Sequence, residues 1–270
     1  MKKLIKGMLA VTMVAAMTLA MVGCGSKPAE ETTGEATEKP AEGENGVLVM
    51  ATNAEFPPYE FYKEEGQQEE GQPVVGIDVE IATAIAESMG KKLQVEDMAF
   101  DSIIPAILSG KADFGAAGMT INEERLANVD FSDTYVKASQ AIIVKADNTE
   151  ITNADALKGK SIGVQLGTTG DLFATEITEK VERFNKGFEA VQAVAQGKID
   201  AVMIDDQVAK ALAEKNPDVK VLAEPFTTEE YAIAVKKGNT ELVEQINAAL
   251  AELKENGKLQ EIIDKYIPAE

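Results

Sequence analysis

Apolar positions follow two alternating spacings along most of the chain, and this alternation predicts β-strands separated by α-helices. Short apolar runs indicate strands, whereas apolar residues three and four positions apart indicate helices. Alternation of the two is typical of an α/β fold. The predicted strands are 47–51, 93–96, 112–116, 161–164, 199–204 and 219–222, and the predicted helices are 77–89, 103–109, 170–177 and 188–195.

Segments 107–115 and 194–202 repeat one local pattern. In each, an apolar helix ends at a glycine, Gly110 or Gly197, and Lys-x-Asp then leads into an apolar strand. Glycine readily adopts the left-handed conformation that ends a helix. On so short a match chance is the alternative, but the repeat favours two lobes with one sheet each. Ligands of such sheets bind beyond the carboxyl ends of the strands.

The loop after the first predicted strand, residues 52–61, is rich in proline and aromatic residues. Pro57 and Pro58 cannot continue a central strand, so they predict a stiff loop that presents Phe56 and Tyr59. Whether these aromatic side chains face a ligand or fill the core stays open.

The segment after the third predicted strand, residues 118–125, ends in an unusual residue. Arg125 and Arg183 are the only arginines in a chain with 26 basic residues. Arginine has a planar fork that binds a carboxylate through two hydrogen bonds, so Arg125 is a candidate carboxylate ligand. The alternative is a surface salt bridge from Arg125 to Glu123 or Asp130.

In the second half of the chain, residues 163–170 follow a strand and open a helix. Free amides at a helix N-terminus form an anion site that suits a carboxylate. No Gly-Lys-Ser/Thr follows, so the segment is not a phosphate-binding loop. Asp205 comes directly after an apolar strand, where it could face an ammonium group or cap the next helix.

The N-terminal residues predict export. Residues 1–23 combine early lysines with a mostly apolar run, which is the pattern of a secretory signal. Cys24, the only cysteine, follows this run, and the segment resembles a bacterial lipoprotein signal in which that cysteine is acylated, for example by palmitate. An uncleaved membrane anchor is the alternative. Residues 24–46 are acidic and lack aromatics, which predicts a disordered tether.

Composition excludes some classes of function. The formal net charge is −20, which argues against nucleic acid as a partner, because binding it depends on basic side chains. Histidine is absent, so the commonest general base and transition-metal ligand is missing. The acidic pairs lack the ligand spacing of a calcium loop, and neither a metal nor a cofactor is expected.

Seven motifs in order resemble the family 3 extracellular solute-binding proteins, the receptors for polar amino acids, over nearly all of residues 47–267. They are residues 76–80, 103–113, 119–125, 129–133, 157–160, 165–170 and 224–226. The resemblance implies the type II periplasmic-binding-protein fold, in which two α/β lobes are joined by two crossover strands near 135–139 and 229–233. Lobe 1 would comprise 47–137 and 231–270, and lobe 2 would comprise 138–230.

The resemblance also assigns roles. The counterpart of Arg125 binds the ligand α-carboxylate with amides at Thr120 and Thr168, the counterpart of Asp205 binds the α-ammonium with the Gly118 carbonyl, and aromatics at Phe56 and Phe100 sandwich the side chain. Asn53 stands where receptors for basic or amide side chains often have aspartate, although Glu55 is nearby. The expected ligand-binding residues are Asn53, Phe56, Phe100, Gly118, Met119, Thr120, Arg125, Gln165, Gly167, Thr168, Thr169 and Asp205.

The implied function is capture of a free amino acid by hinge closure and its delivery to the membrane permease of an ABC transporter. A lipid-anchored monomer at the extracellular face of the cell membrane is expected, or a periplasmic one if the host has an outer membrane. Two alternatives stay open. One is an enzyme similar to cyclohexadienyl dehydratase with Glu55 as general acid, and the other is the sensory domain of a signalling protein.

Overall fold

The computed structural model of the protein describes residues 46–63, 73–224 and 227–268. The predicted signal segment, Cys24 and the predicted tether up to residue 45 lie outside these ranges, as do Pro225 and Phe226 of the last motif. Within the described ranges, no helix is both long and apolar enough to cross a membrane.

The described chain alternates strands and helices, as the hydropathy pattern predicts. The strands are β1 (Val47–Thr52), β2 (Phe61–Tyr62), β3 (Val74–Val75), β4 (Lys92–Asp97), β5 (Phe114–Gly115), β6 (Val129–Phe131), β7 (Val136–Ala138), β8 (Gln140–Lys145), β9 (Ile162–Gln165), β10 (Val181–Phe184), β11 (Ala201–Asp205), β12 (Val219–Val221), β13 (Glu229–Tyr231) and β14 (Ala234–Lys236). The helices are α1 (Ile77–Ser88), α2 (Ile103–Leu108), α3 (Glu123–Leu126), α4 (Thr169–Ile177), α5 (Gly187–Ala195), α6 (Asp206–Glu214), α7 (Thr240–Glu255) and α8 (Lys258–Tyr266).

Two five-stranded sheets share one design. The first has the order β4-β1-β5-β14-β6 and the second has the order β10-β9-β11-β8-β12. In each sheet the first three strands are parallel and the fourth is antiparallel to both neighbours. We call the first sheet with α1, α2, α3, α7 and α8 lobe 1, and the second sheet with α4, α5 and α6 lobe 2.

Two short strands connect the lobes. The chain leaves lobe 1 through β7 and returns through β13, and these strands pair antiparallel, with Val136 opposite Tyr231 and Ala138 opposite Glu229. After its return the chain adds β14 to the first sheet and continues into α7 and α8, which pack with α1. The structure therefore has the two-lobed architecture with two crossover strands, while the exact lobe boundaries stay a prediction.

The repeated segments end a helix and connect two strands in the same way in both lobes. Gly110 and Gly197 follow α2 and α5 with φ angles of 73° and 70°. Asp113 then accepts a hydrogen bond from the Val49 amide at 2.7 Å, and Asp200 accepts one from the Ser161 amide at 2.7 Å. Each aspartate thus ties the strand after the helix to the neighbouring parallel strand.

Candidate ligand-binding cleft

A cavity lies between the two lobes, beyond the carboxyl ends of several strands. About 380 Å³ of space not filled by protein atoms, part of it open to solvent, lies between its walls. Both lobes and the returning strand β13 contribute to its wall. The lining residues are Phe56, Glu60, Phe100, Ala117, Gly118, Thr120, Arg125, Gln140, Gln165, Thr168, Thr169, Ile204, Asp205 and Tyr231.

Arg125 lies on the lobe 1 side of the cavity with only 7% of its surface exposed. Its backbone amide donates to the Asn122 side chain at 2.8 Å, which caps α3 and fixes the residue. Its guanidinium donates to the carbonyls of Thr120 at 2.6 Å and Gly167 at 3.1 Å and stacks 5.2 Å from the Phe100 ring centre. Burial lowers the pKa of Arg125 to about 10.

The surface salt-bridge alternative for Arg125 is therefore wrong. The residue is buried, and Asp130 pairs instead with Lys237 at 3.1 Å. Among the described residues the guanidinium donates to neutral carbonyls, while the charge of Glu229, which raises the pKa of Arg125, acts without a hydrogen bond to it. A buried cation without a hydrogen-bonded counterion leaves its charge poorly balanced. An anionic ligand at this wall would restore the balance.

Asp205 lies on the lobe 2 side, at the end of β11, and is 1% exposed. One carboxylate oxygen caps α6 by accepting from the Gln207 and Val208 amides, both at 2.9 Å. The other accepts from the hydroxyls of Tyr231 at 2.7 Å and Tyr59 at 3.4 Å. Burial raises the pKa of Asp205 to about 7, so it is poised to gain charge when a cation arrives. Asp205 therefore caps α6 and also lines the cavity, while its pairing with an ammonium group stays a prediction.

The N-terminus of α4 faces the cavity from lobe 2. Thr168 is its N-cap, and the Thr168 hydroxyl accepts from the Asp171 amide at 3.3 Å. Thr168 and Thr169 line the cavity, while Gly167 lies just beside it under Arg125. The predicted amide site and the predicted arginine therefore lie on opposite lobes but within reach of one another.

Phe56 and Phe100 line the cavity, each with 8% of its surface exposed. Gly118 lies between Phe56 and the crossover residue Tyr231. A Cβ atom at position 118 would approach a ring carbon of each at 3.1 Å, and the φ angle there is 53°. Glycine at 118 thus allows both rings to close over the backbone at this point of the cavity.

Three predicted residues lie beside the cavity instead of lining it. Met119 is 1% exposed and packs in the core of lobe 1 with Phe100. Asn53 uses both ends of its amide on protein, since it donates to the Met98 carbonyl and accepts from Gln165 at 2.7 Å. Gly167 presents its carbonyl to Arg125. Glu55, which the sequence suggested as an acidic partner or general acid, is exposed and does not line the cavity.

Two carboxylates near the cavity escaped the sequence prediction. Glu229, 6% exposed, accepts hydrogen bonds from Thr120 at 2.9 Å, Thr169 at 3.0 Å and Gln140 at 3.2 Å. From the crossover strand β13, Glu229 thus connects Thr120 of lobe 1 with Thr169 and Gln140 of lobe 2. The returning strand offered no motif for it, because the residues that meet there are more than 50 positions apart in sequence.

Glu60 is the second missed carboxylate, and unlike Glu229, whose Oε1 is also without a partner in the described residues, it lines the cavity. Glu60 is 1% exposed, and its Oε2 has no hydrogen-bond partner in the described part of the chain. Burial, followed by the nearby carboxylates of Asp78 and Asp205, raises the pKa of Glu60 well above its usual range. A buried acid without a partner is costly unless a ligand group satisfies it.

Direct contacts join the lobes around the cavity. Gln165 donates to Asn53 at 2.7 Å, Arg125 donates to the Gly167 carbonyl at 3.1 Å, and the Lys186 ammonium donates to the Ala54 carbonyl at 2.6 Å. These contacts describe lobes that are closed upon each other. No cluster of side chains suited to a metal ion occurs in residues 46–63, 73–224 and 227–268.

Fold and site together define a two-lobed protein of the binding-protein class, with a cavity between its lobes that is lined by charged side chains from both. Residues 48–269 match the model of the family described as bacterial extracellular solute-binding proteins, family 3, and the chain belongs to that family.

Relatives and solved structures agree with this assignment. The arginine-binding extracellular protein ArtP of Bacillus subtilis is 34% identical over an alignment that covers 98% of this chain and 99% of the relative. A solved structure described as an ancestral arginine-binding protein bound to arginine is 45% identical with a TM-score of 0.77, and covers 82% of this chain and 98% of its own. A structure of an ancestral arginine-binding protein bound to glutamine is 44% identical with a TM-score of 0.78, over 83% of this chain and 99% of its own.

Proposed function

We propose that this protein binds a free amino acid with a cationic side chain, arginine first, between its lobes and delivers it to the permease of an ABC transporter. The observation that carries the proposal is the meeting of Arg125, Asp205 and Glu60 in one cavity. These three residues supply one cation and two acids to a space closed on both sides by protein. The names of the relatives, which include arginine-binding proteins, support the same ligand class.

The charges at the cavity wall match those of a cationic amino acid. Arg125, with the α4 amides, would hold the α-carboxylate, and Asp205 would hold the α-ammonium. Glu60 is then left without a counterion within hydrogen-bond distance in the described residues. Glu229 also has one unpartnered oxygen, Oε1, but its Oε2 accepts three hydrogen bonds and it does not line the cavity. A guanidinium or ammonium group on the ligand side chain would satisfy Glu60 between the rings of Phe56 and Phe100.

Binding would be coupled to closure because the charged contacts come from different lobes. Arg125 and Glu60 belong to lobe 1, while Asp205 and the α4 amides belong to lobe 2. A ligand that touches both lobes has higher affinity for the closed form and shifts the population toward it. The closed form would then be the one that the permease accepts. No chemical step is required of any residue, in agreement with a carrier that is not an enzyme.

We also propose that the mature protein is held at the extracellular side of the membrane by lipid on Cys24. The signal-like residues 1–23 and the acidic segment that follows support this arrangement. Metabolic labelling with an alkyne palmitate should mark the protein, and Cys24→Ser should abolish the label and release the protein from membranes. Equal labelling of both forms would contradict the anchor.

The function is tested by calorimetry and thermal shift with the twenty amino acids plus ornithine and citrulline. L-Arginine should raise the melting temperature most, because a ligand that binds only the folded state stabilises it by mass action. Incubation with prephenate serves as the test for an enzyme and should leave it unchanged. Failure of every amino acid to bind, or turnover of prephenate, would overturn the proposal.

A further inference from the structure

The second arginine of the chain forms a two-point ion pair behind the cavity. Arg183 on β10 donates from Nε to Asp171 Oδ2 at 3.0 Å and from Nη2 to Asp171 Oδ1 at 2.9 Å. Nη2 also donates to the Thr175 hydroxyl at 2.9 Å. This is the planar fork-to-carboxylate geometry that lysine cannot reproduce. The rare use of arginine in this chain thus has a structural reason at position 183.

Asp171 connects this ion pair to the loop at the cavity. It is 6% exposed and lies in the first turn of α4. Its Oδ2, which Arg183 contacts, also accepts from the Gly167 backbone amide at 3.2 Å. The Gly167 carbonyl in turn accepts from Arg125 at 3.1 Å. Hydrogen bonds therefore connect Arg183 through Asp171 and Gly167 to Arg125, the residue that we propose to bind the ligand carboxylate.

The pair also matters for charge. The N-terminus of α4 favours an anion, and Asp171 already places one carboxylate there. The Thr168 amide donates to the Gln165 carbonyl at 3.3 Å, so the Thr169 amide is the one that we assign to the ligand together with Arg125. Without a counterion, the Asp171 carboxylate would repel the ligand carboxylate there. Arg183 neutralises Asp171 and fixes its orientation, so the Thr169 amide stays available to the ligand.

We propose that Arg183 is a positioning residue for the ligand carboxylate. It holds Asp171, which holds the loop at Gly167, and it cancels the charge that would compete with the ligand. The inference rests on the proposed function, because it assumes an amino acid whose carboxylate lies between Arg125 and the N-terminus of α4. A purely structural ion pair would stabilise lobe 2 without any preference for ligands that carry a carboxylate.

The test compares L-arginine with L-argininamide, which lacks the carboxylate, by calorimetry on the full-length protein and its variants. Arg183→Met should raise the Kd for L-arginine about tenfold and change the Kd for L-argininamide by less than about threefold. Arg183→Lys keeps the charge but loses the fork, and should fall between wild type and Arg183→Met.

A double variant and a matched control separate positioning from folding. Arg183→Met with Asp171→Asn removes the uncompensated charge, keeps an acceptor for the Gly167 amide, and should recover part of the L-arginine affinity. Lys160→Met removes a cation that pairs with Glu150 at 2.8 Å in the same lobe, and should leave both ligands unaffected. Melting temperatures measured without ligand identify any variant that is misfolded.

The outcomes discriminate between the two proposals. Equal weakening of both ligands by Arg183→Met, or unchanged binding of both, would overturn the positioning role while leaving the proposed function intact. If the wild-type protein binds neither L-arginine nor any other amino acid, the proposed function fails and this inference fails with it.

Discussion

Glu60 gives the sharpest test of ligand charge, because Glu60→Gln removes one charge from the cavity wall and almost no volume. The side chain is 1% exposed and its Oε2 has no partner in the described residues, so the change breaks no hydrogen bond that the structure contains. Without ligand, the variant should be at least as stable as wild type, since a buried unpaired acid is replaced by a neutral amide.

The size of the effect follows from two opposing contributions. Removing one partner of a buried charge pair costs about 2–5 kcal/mol, or roughly 30-fold to 4,000-fold in affinity. Burial and the carboxylates of Asp78 and Asp205 raise the pKa of Glu60 well above its usual range. Part of the pairing energy is therefore spent on ionising Glu60 at neutral pH. We expect a loss near the lower limit, about 2 kcal/mol, for L-arginine.

Calorimetry with L-arginine and L-citrulline separates charge from shape. Citrulline has nearly the same shape as arginine but a neutral side chain, so the wild-type protein should prefer arginine by roughly 30-fold and Glu60→Gln should show little preference. Glu55→Gln is the control, because it removes an exposed acid five residues earlier in the same loop. If Glu60→Gln kept the wild-type preference for arginine over citrulline, Glu60 would not be the side-chain counterion.

Three further predictions concern Arg125, Asp205 and Asp78. Arg125→Met should weaken L-arginine binding by about 2–5 kcal/mol in calorimetry, because the ligand carboxylate loses its counterion, and normal affinity would refute that role. Burial raises the pKa of Asp205 to about 7, and the ligand ammonium pairs with the charged carboxylate. The affinity for L-arginine should therefore rise from pH 5 to 8, and binding should release a proton. A pH-independent affinity would contradict this. Burial raises the pKa of Asp78 from 3.8 to about 6, so about 3 kcal/mol of stability, present below pH 4, is lost as pH rises through 6. Asp78→Asn can still accept from the Gly118 amide and the Tyr135 hydroxyl, and should flatten this fall in the melting temperature of the ligand-free protein.

Local patterns predicted the fold where one element carries its own signal. Helix α1 was predicted within one residue of its observed end, because Ile77, Ile81 and Ile85 repeat at the helical spacing and all lie in the core. Strand β8 was not predicted as an element. Its residues from Gln140 to Val144 are buried continuously, as are those of β9 and β11, which were predicted, so burial does not explain the difference.

The candidate site was predicted where chemistry is unusual within a short segment. Arg125 stood out because arginine is rare in this chain, and Asp205 because it ends an apolar run. Glu60 gave no such signal among 46 acidic residues. Only the tertiary structure shows that this carboxylate is buried and faces the cavity while Glu55, in the same loop, is exposed. Burial of a polar side chain depends on what packs over it, and neighbours in sequence do not reveal this.

The hydrogen bonds around the cavity divide into two sets, and the division explains why a ligand and closure would depend on each other. Contacts such as Gln165 to Asn53 and Lys186 to Ala54 are complete between the lobes and need no ligand. Arg125 and Glu60, in contrast, are buried without a counterion within hydrogen-bond distance in the described part of the chain. The first set favours the closed form, while the second makes it costly because unpaired charge is buried. A cationic amino acid removes that cost from both groups at once, so its binding shifts the population toward the closed form.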